Sequence, residues 1–257
     1  QIAEDMAGGS SAQIGALSAK IPSAYWKFDE GYGSSAKDMS VNANTGTISG
    51  ATWSNAGKFG KALSFNGTSS YIDVPDSSLW DFGTGNFSIG GWIKFNDPSE
   101  KDYQLIISQS VDASNRWQLY WNKLGGLGIG FYVNSGGVVT VHVTQGNLTG
   151  WVAGTWYYVE VVRNGNAWNI YRNGISIASD PNTSITMPSL AAPLSFGRNA
   201  FEHPNYYFNG LIDEVKIYPF ALTASDIQTE YNHGSALKMG SFSDTSGLTG
   251  GSVASDS

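Results

Sequence analysis

Residues 156–178 read WYYVEVVRNGNAWNIYRNGISIA, three apolar runs separated by Asn164-Gly165 and Asn173-Gly174. Asn-Gly between alternating apolar runs marks a two-residue hairpin, because the tight turns that match strand twist need positive φ. Two such turns in close succession commit the stretch to antiparallel strands. The rest of the chain follows the same pattern, with short apolar runs at 24–28, 62–65, 71–74, 87–95, 103–108, 117–121, 127–133, 138–143, 194–196 and 211–218. In FSIGGWIKF, residues Phe87, Ile89, Gly91, Ile93 and Phe95 share one face. One helix is expected, over 224–232, with Thr223 as its N-cap and Asp226 in the acidic first turn.

A dozen or more short strands with one short C-terminal helix imply an all-β, two-sheet antiparallel sandwich. The 32 glycines, 13% aromatics and only 14% charged residues fit that class better than a helical one. The domain is expected over 23–236. Residues 1–22, with Ile14, Leu17 and Ile21, read as a linker or short helix, and 237–257 as a disordered Gly/Ser-rich linker. Such ends, and a chain starting at Gln1, lead us to expect a module processed or cut from a longer protein.

Several function classes are excluded. A net charge of −7 lacks the basic footprint of phosphate-backbone binding, so no nucleic-acid partner is expected. No apolar run approaches the roughly 20 residues of a membrane span, so no membrane insertion is expected. Without cysteine there is neither a disulfide framework nor a thiolate site, and the scattered His142, His203 and His233 argue against zinc.

The segment YFNGLIDEVKIY, Tyr207 to Tyr218, sets Asp213 and Glu214 inside an apolar run. Strict alternation puts Leu211, Asp213 and Val215 on one face and Ile212, Glu214 and Lys216 on the other. A carboxylate on a core face needs a partner, whether a cation, backbone N–H groups or a catalytic arrangement. Glu30, Asp38, Asn42 and Asn44 crowd one early loop. With Asp213 from a distant strand, Glu30, Asp38 and Asn44 would give calcium the oxygen ligands it takes, in a structural role. The alternative is a metal-free network, with Asp213 accepting N–H bonds from that loop and Asp38 capping a turn.

Five stretches in order resemble the laminin-G-like jelly rolls of the concanavalin A-like lectin/glucanase fold. They are AYWKFDEGYGSSAKDMSVNANTG (24–46), KFGKALSFNGTSSYIDVPDSSLW (58–80), FSIGGWIKF, TWYYVEVVRNGNAWNIYRNG (155–174) and FNGLIDEVKIYPFALTASDIQTEYN (208–232). The resemblance implies a jelly roll and, more loosely, a calcium ion whose position varies between relatives. Members serve as glycan-binding modules, adhesins, accessory domains and protein-interaction domains. Glucanases of the wider fold carry Glu-x-Asp-x-x-Glu on one strand. Here Asp213 and Glu214 are adjacent, and Glu160 has no acidic neighbour at 158 or 162, which argues against catalysis.

Sugar recognition uses aromatic faces with amides and charged groups beside them. In NRWQLYWN, Trp117, Leu119 and Trp121 facing the core would turn Arg116, Gln118 and Tyr120 outward. The segment NAFEHPNYY offers Phe201, His203, Tyr206 and Tyr207. Trp151, in LTGWVAGTW, is expected to be partly exposed, while Trp26, Trp92, Trp117 and Trp156 are expected in the core. The expected ligand residues are therefore Tyr120, Trp151, Phe201, His203, Tyr206 and Tyr207. The expected function is a non-catalytic, secreted or cell-surface module for a polysaccharide or cell-surface glycan. The alternatives are an assembly domain contacting other surface proteins and a glycan-active enzyme.

Overall fold

The computed structural model describes residues 20–201 and 206–232. The segments 1–19 and 233–257, which carry most of both expected linkers, and His203 lie outside the described residues. Strands β1 (Ala24–Trp26), β2 (Ser35–Ala36), β3 (Gly46–Ser49), β4 (Thr52–Ser54), β5 (Ala62–Asn66), β6 (Tyr71–Val74), β7 (Phe87–Phe95) and β8 (Tyr103–Asp112) form the first half. The second half contributes β9 (Asn115–Asn122), β10 (Gly128–Ser135), β11 (Val138–Thr144), β12 (Trp156–Asn164), β13 (Ala167–Arg172), β14 (Ile175–Asp180), β15 (Leu194–Phe196) and β16 (Asn209–Tyr218), followed by helix α1 (Ala224–Tyr231). The expected helix and its cap are present: Thr223 and Asp226 form a reciprocal capping box.

The strands build two antiparallel sheets. The first runs β14-β13-β12-β7-β16-β5-β4, with β1 pairing the second half of β16; the other runs β11-β10-β9-β8-β15-β6-β3-β2. Between them lies an aromatic core that includes Trp26, Phe65, Phe87, Phe95, Trp117, Trp121, Phe131 and Trp168. Each such side chain contributes on the order of 1.5–3 kcal/mol through burial. Phe82 stacks on Phe87 with centroids 4.0 Å apart. Alternation along β7 holds, with Phe87, Ile89, Ile93 and Phe95 in the core. Trp92 points the other way, into a second cluster with Tyr158, Tyr218 and Ile227 beneath α1; Trp156 is only partly buried beside it.

Sequence pattern missed the short strands β2, β3 and β4, which have too few apolar residues to show a period. The two hairpins also differ in detail. Asn173 and Gly174 both take positive φ (51° and 82°), as a type I′ turn requires. The other loop is Gly165-Asn166, between the paired Asn164 and Ala167, and only Gly165 has positive φ.

A β-bulge overturns the expected faces of β16. Between Asp213 and Lys216 the strand carries one residue more than its partner β7, and Glu214 takes a left-handed φ of 53°. The extra residue resets the alternation, so Ile212, Val215 and Ile217 all point into the core. Asp213 does not share the core face with Val215. It lies on the outer face of the first sheet.

Candidate functional site

The outer face of the second sheet carries a pocket of about 270 Å³, lined by Tyr103, Arg116, Gln118, Tyr120, Asn122, Leu127, Tyr132, His142 and Tyr206. Its floor follows from alternation along β9. Trp117, Leu119 and Trp121 fill the core, which leaves Arg116, Gln118, Tyr120 and Asn122 on the other side. On β10 and β11 the same logic buries Phe131, Val133, Val141 and Val143 and turns out Tyr132 and His142. Gly130, opposite Tyr120, leaves room for its ring, since a Cβ there would sit 2.6 Å from the Tyr120 hydroxyl.

The pocket is preorganised. Tyr103 and Tyr120 stack with centroids 4.9 Å apart, and Tyr206 packs on Tyr103 at 5.0 Å. The Tyr120 hydroxyl lies 2.7 Å from His142 Nε2, and Tyr103 donates to Gln118 Oε1 over 3.3 Å. The Arg116 guanidinium lies over the Tyr132 ring at 5.4 Å, and Tyr132 stands edge-on to His142. Burial pushes the Tyr103 and Tyr120 hydroxyls well above their ordinary pKa and lowers that of His142. The phenols stay protonated and the imidazole neutral at pH 7. Asn122 Oδ1 is buried without a hydrogen-bond donor, an acceptor that a ligand hydroxyl would satisfy.

Of the expected ligand residues, Tyr120 and Tyr206 line this pocket. Tyr207 packs near Tyr71 with centroids 6.5 Å apart, and Phe201 is exposed, away from the lining. Trp151 corrects the expectation of partial exposure: it is buried against Phe95, Trp121 and Tyr157, and its indole N–H donates to Gln145. Sequence reasoning missed Tyr103, Tyr132, Asn122 and His142. Period-two alternation along β10 and β11 carried the signal for Tyr132 and His142, but only strand register brings them beside Tyr120.

The carboxylates gather elsewhere, beneath α1 on the first sheet. Asp213 is fully buried; its Oδ2 accepts N–H bonds from Lys58 (2.8 Å) and Phe59 (3.1 Å), while Oδ1 has no donor. Burial raises its pKa to about 7 in spite of those two bonds, and the Glu214 charge adds to the rise. Glu160, also fully buried, accepts from the Tyr158 hydroxyl over 2.8 Å, and burial holds it protonated far above the usual carboxylate range. It fits only because Gly90 faces it, since a Cβ there would sit 2.4 Å from Glu160 Oε2. Glu214 accepts from Tyr25, and Lys216 pairs with Glu230 of α1. Glu160, Asp213 and Glu214 are buried, and the Lys216–Glu230 pair ties the sheet to the helix.

The expected metal set is not assembled. Asp38 accepts five hydrogen bonds, from the backbone N–H groups of Tyr25, Ser40 and Asn44, the Ser40 hydroxyl and the Asn44 amide. Burial pushes its carboxyl up, but those donors outweigh it and hold the pKa below the ordinary value. Glu30 accepts from the Lys37 N–H. Asp213 meets the 58–59 loop, not the loop of Asp38 and Asn44. Among the described residues, no three His, Asp or Glu side chains lie where they could hold a metal ion. The donors present do not fit a calcium site joining that loop to β16, because the bulge and the 58–59 loop have claimed Asp213.

Residues 66–228, well over half of the chain, match the family model of the Concanavalin A-like lectin/glucanases superfamily. An alpha-L-arabinofuranosidase of Bifidobacterium longum is 28% identical over 169 residues, which cover 62% of this chain but only 15% of that relative. Among solved structures, domain 4 of AbnA, a GH43 extracellular arabinanase from Geobacillus stearothermophilus in complex with arabinotriose, has a TM-score of 0.64 at 23% identity. It covers 81% of this chain and 97% of its own. The botulinum neurotoxin serotype D binding domain has a TM-score of 0.66 at 15% identity, covering 83% of this chain and 52% of its own. At these identities the solved structures establish a common fold. No helix among the described residues is long and apolar enough to cross a membrane.

Proposed function

The chain belongs to the Concanavalin A-like lectin/glucanases superfamily, and from that premise we propose that it is a non-catalytic carbohydrate-binding module whose ligand sits in the tyrosine pocket of the second sheet. The observation that carries this reading is the lining itself. Four tyrosines supply ring faces and hydroxyls, and Gln118, Asn122 and His142 supply amide and imidazole groups around them. Aromatic rings stack on the apolar faces of sugar rings while the polar groups match hydroxyls.

Among the described residues no carboxylate lines the pocket, which supports a binding role, since glycoside hydrolysis uses a carboxyl pair flanking the scissile bond. The buried acids lie on the other sheet. An arabinose-containing glycan is the first ligand we propose, supported by the arabinotriose complex of the arabinanase domain and by the arabinofuranosidase relative. A place in a larger secreted protein fits the extracellular arabinanase to which that domain belongs.

Calorimetric titration with arabinotriose tests the reading. The wild-type protein is expected to bind, and Tyr132→Ala to lose about tenfold in affinity, as for an aromatic anchor. Incubation with arabinan should release no reducing sugar. Binding unaffected by Tyr132→Ala would move the site off this face, and release of sugar would make the protein an enzyme.

A further inference from the structure

We infer that the pocket takes the end of a glycan chain, or a single-residue branch, rather than an internal run of a linear polysaccharide. The inference rests on the carbohydrate-binding reading above. It comes from the register of the second sheet. Asp73 on β6, Ser195 on β15, Ser108 on β8, Gln118 on β9, Tyr132 on β10 and His142 on β11 are successive cross-strand partners. They form one straight polar row on the outer face. Neighbouring strands lie about 4.8 Å apart, so the row is roughly 24 Å long. A linear glycan lying across the strands would follow it.

Most of that row is closed. Ser108 is 0% and Ser195 1% exposed although both point away from the core. The Ser108 hydroxyl donates to the Arg198 carbonyl over 2.7 Å, so the chain folds back over the sheet after β15. The Arg198 guanidinium carbon lies over the Tyr71 ring, 3.5 Å from its centroid, and the guanidinium pairs with Asp73 at 2.5 Å, which in turn accepts from Ser195. On the β8 side of the pocket, the Leu105 N–H donates to the Tyr206 carbonyl, and the Tyr206 ring stands against Tyr103 as a wall.

Only the Gln118, Tyr132 and His142 end of the row opens into the pocket, beside the edge strand β11. The volume of about 270 Å³ is below the range of about 300–1,000 Å³ that encloses a drug-sized ligand. One sugar ring or two fit. A chain entering from the β11 edge meets the Tyr103–Tyr206 wall and cannot continue across the sheet.

The test is a titration series with arabinose and arabino-oligosaccharides of two, three and five residues, run beside the xylo- and cello-oligosaccharide series. A linear polymer of the same sugar is then titrated before and after partial endo-hydrolysis. Affinity is expected to level off by the disaccharide, changing less than about twofold up to the pentasaccharide, and polymer binding capacity to rise with the number of chain ends. An affinity that climbs about tenfold or more from two residues to five, with capacity that follows polymer mass, would overturn chain-end recognition and leave the binding module intact. If no series binds at any length, the carbohydrate reading itself fails and the inference falls with it.

Discussion

The two sheets turn very different outer faces to the surroundings. The first sheet covers its face with α1 and the 58–59 loop, and there it holds Glu160, Asp213 and Glu214, each with one oxygen that lacks a donor. The second leaves part of its face open and there presents tyrosines, amides and a neutral imidazole, with Tyr120 bonded to His142 and Tyr103 to Gln118. Burial on this covered face raises the pKa of Glu160 and Asp213, because uncompensated charge in an enclosed site is costly. An open face needs no such device, and its polar groups remain available to a ligand. Tension collects under the helix; recognition fits the face without one.

The comparison breaks most readily at Trp92. Its ring packs against Phe59, Tyr158 and Tyr231, with the Lys58 ammonium 4.2 Å from the ring. Trp92→Ala is expected to cost about 3–5 kcal/mol and lower Tm by roughly 10 °C in a thermal melt. Affinity for arabinotriose, measured well below the transition, should not change. A parallel loss of affinity would mean that the two faces are coupled through the core.

Asp213 sharpens the comparison through pH. Its carboxyl titrates near 3.8 in the unfolded chain and near 7 in the fold. Between those values the folded state keeps a proton that the unfolded state has released. Stability therefore falls as pH rises from about 4 to 7, by at most about 1.4 kcal/mol per unit, and levels off above 7. Asp213→Asn should remove that slope, so the Tm of the variant gains on wild type from pH 5 to pH 8. Parallel curves would show that the Lys58 and Phe59 N–H groups fully compensate the charge.

The smallest expected effect concerns the early loop. With Asp38 holding five donors of its own, millimolar calcium or EDTA should shift Tm by less than about a degree, since an ion that does not bind the folded state adds no stability. A drop of many degrees in EDTA, reversed by calcium, would restore the metal and overturn the hydrogen-bond account.

Local rules made much of this molecule legible in advance. Alternation put Trp117, Leu119 and Trp121 in the core and Tyr120 outside. The turn at Asn173-Gly174 and the Thr223–Asp226 cap are short-range hydrogen-bond and φ preferences that act within a few residues. The same rule failed at Asp213, because one extra residue in β16 reverses the facing of everything after it, and nothing in LIDEVKIY signals where a bulge falls. Trp151 and Tyr132 show the other limit. Whether a tryptophan in a loop is covered depends on Phe95, Trp121 and Tyr157 arriving from three distant segments, and Tyr132 reaches Tyr120 and His142 only through the pairing of β9, β10 and β11.

Sequence by itself determined the sandwich, most of its longer strands and their core faces, and the capped helix α1, since periodicity and turn chemistry are local. The tertiary structure alone decided which outer face is sealed and which is open, which carboxyls must keep a proton, and which tyrosines meet. Those depend on strand register and on loops that cross from one sheet to another, and register is set by the energy of the whole packed core rather than by any one segment.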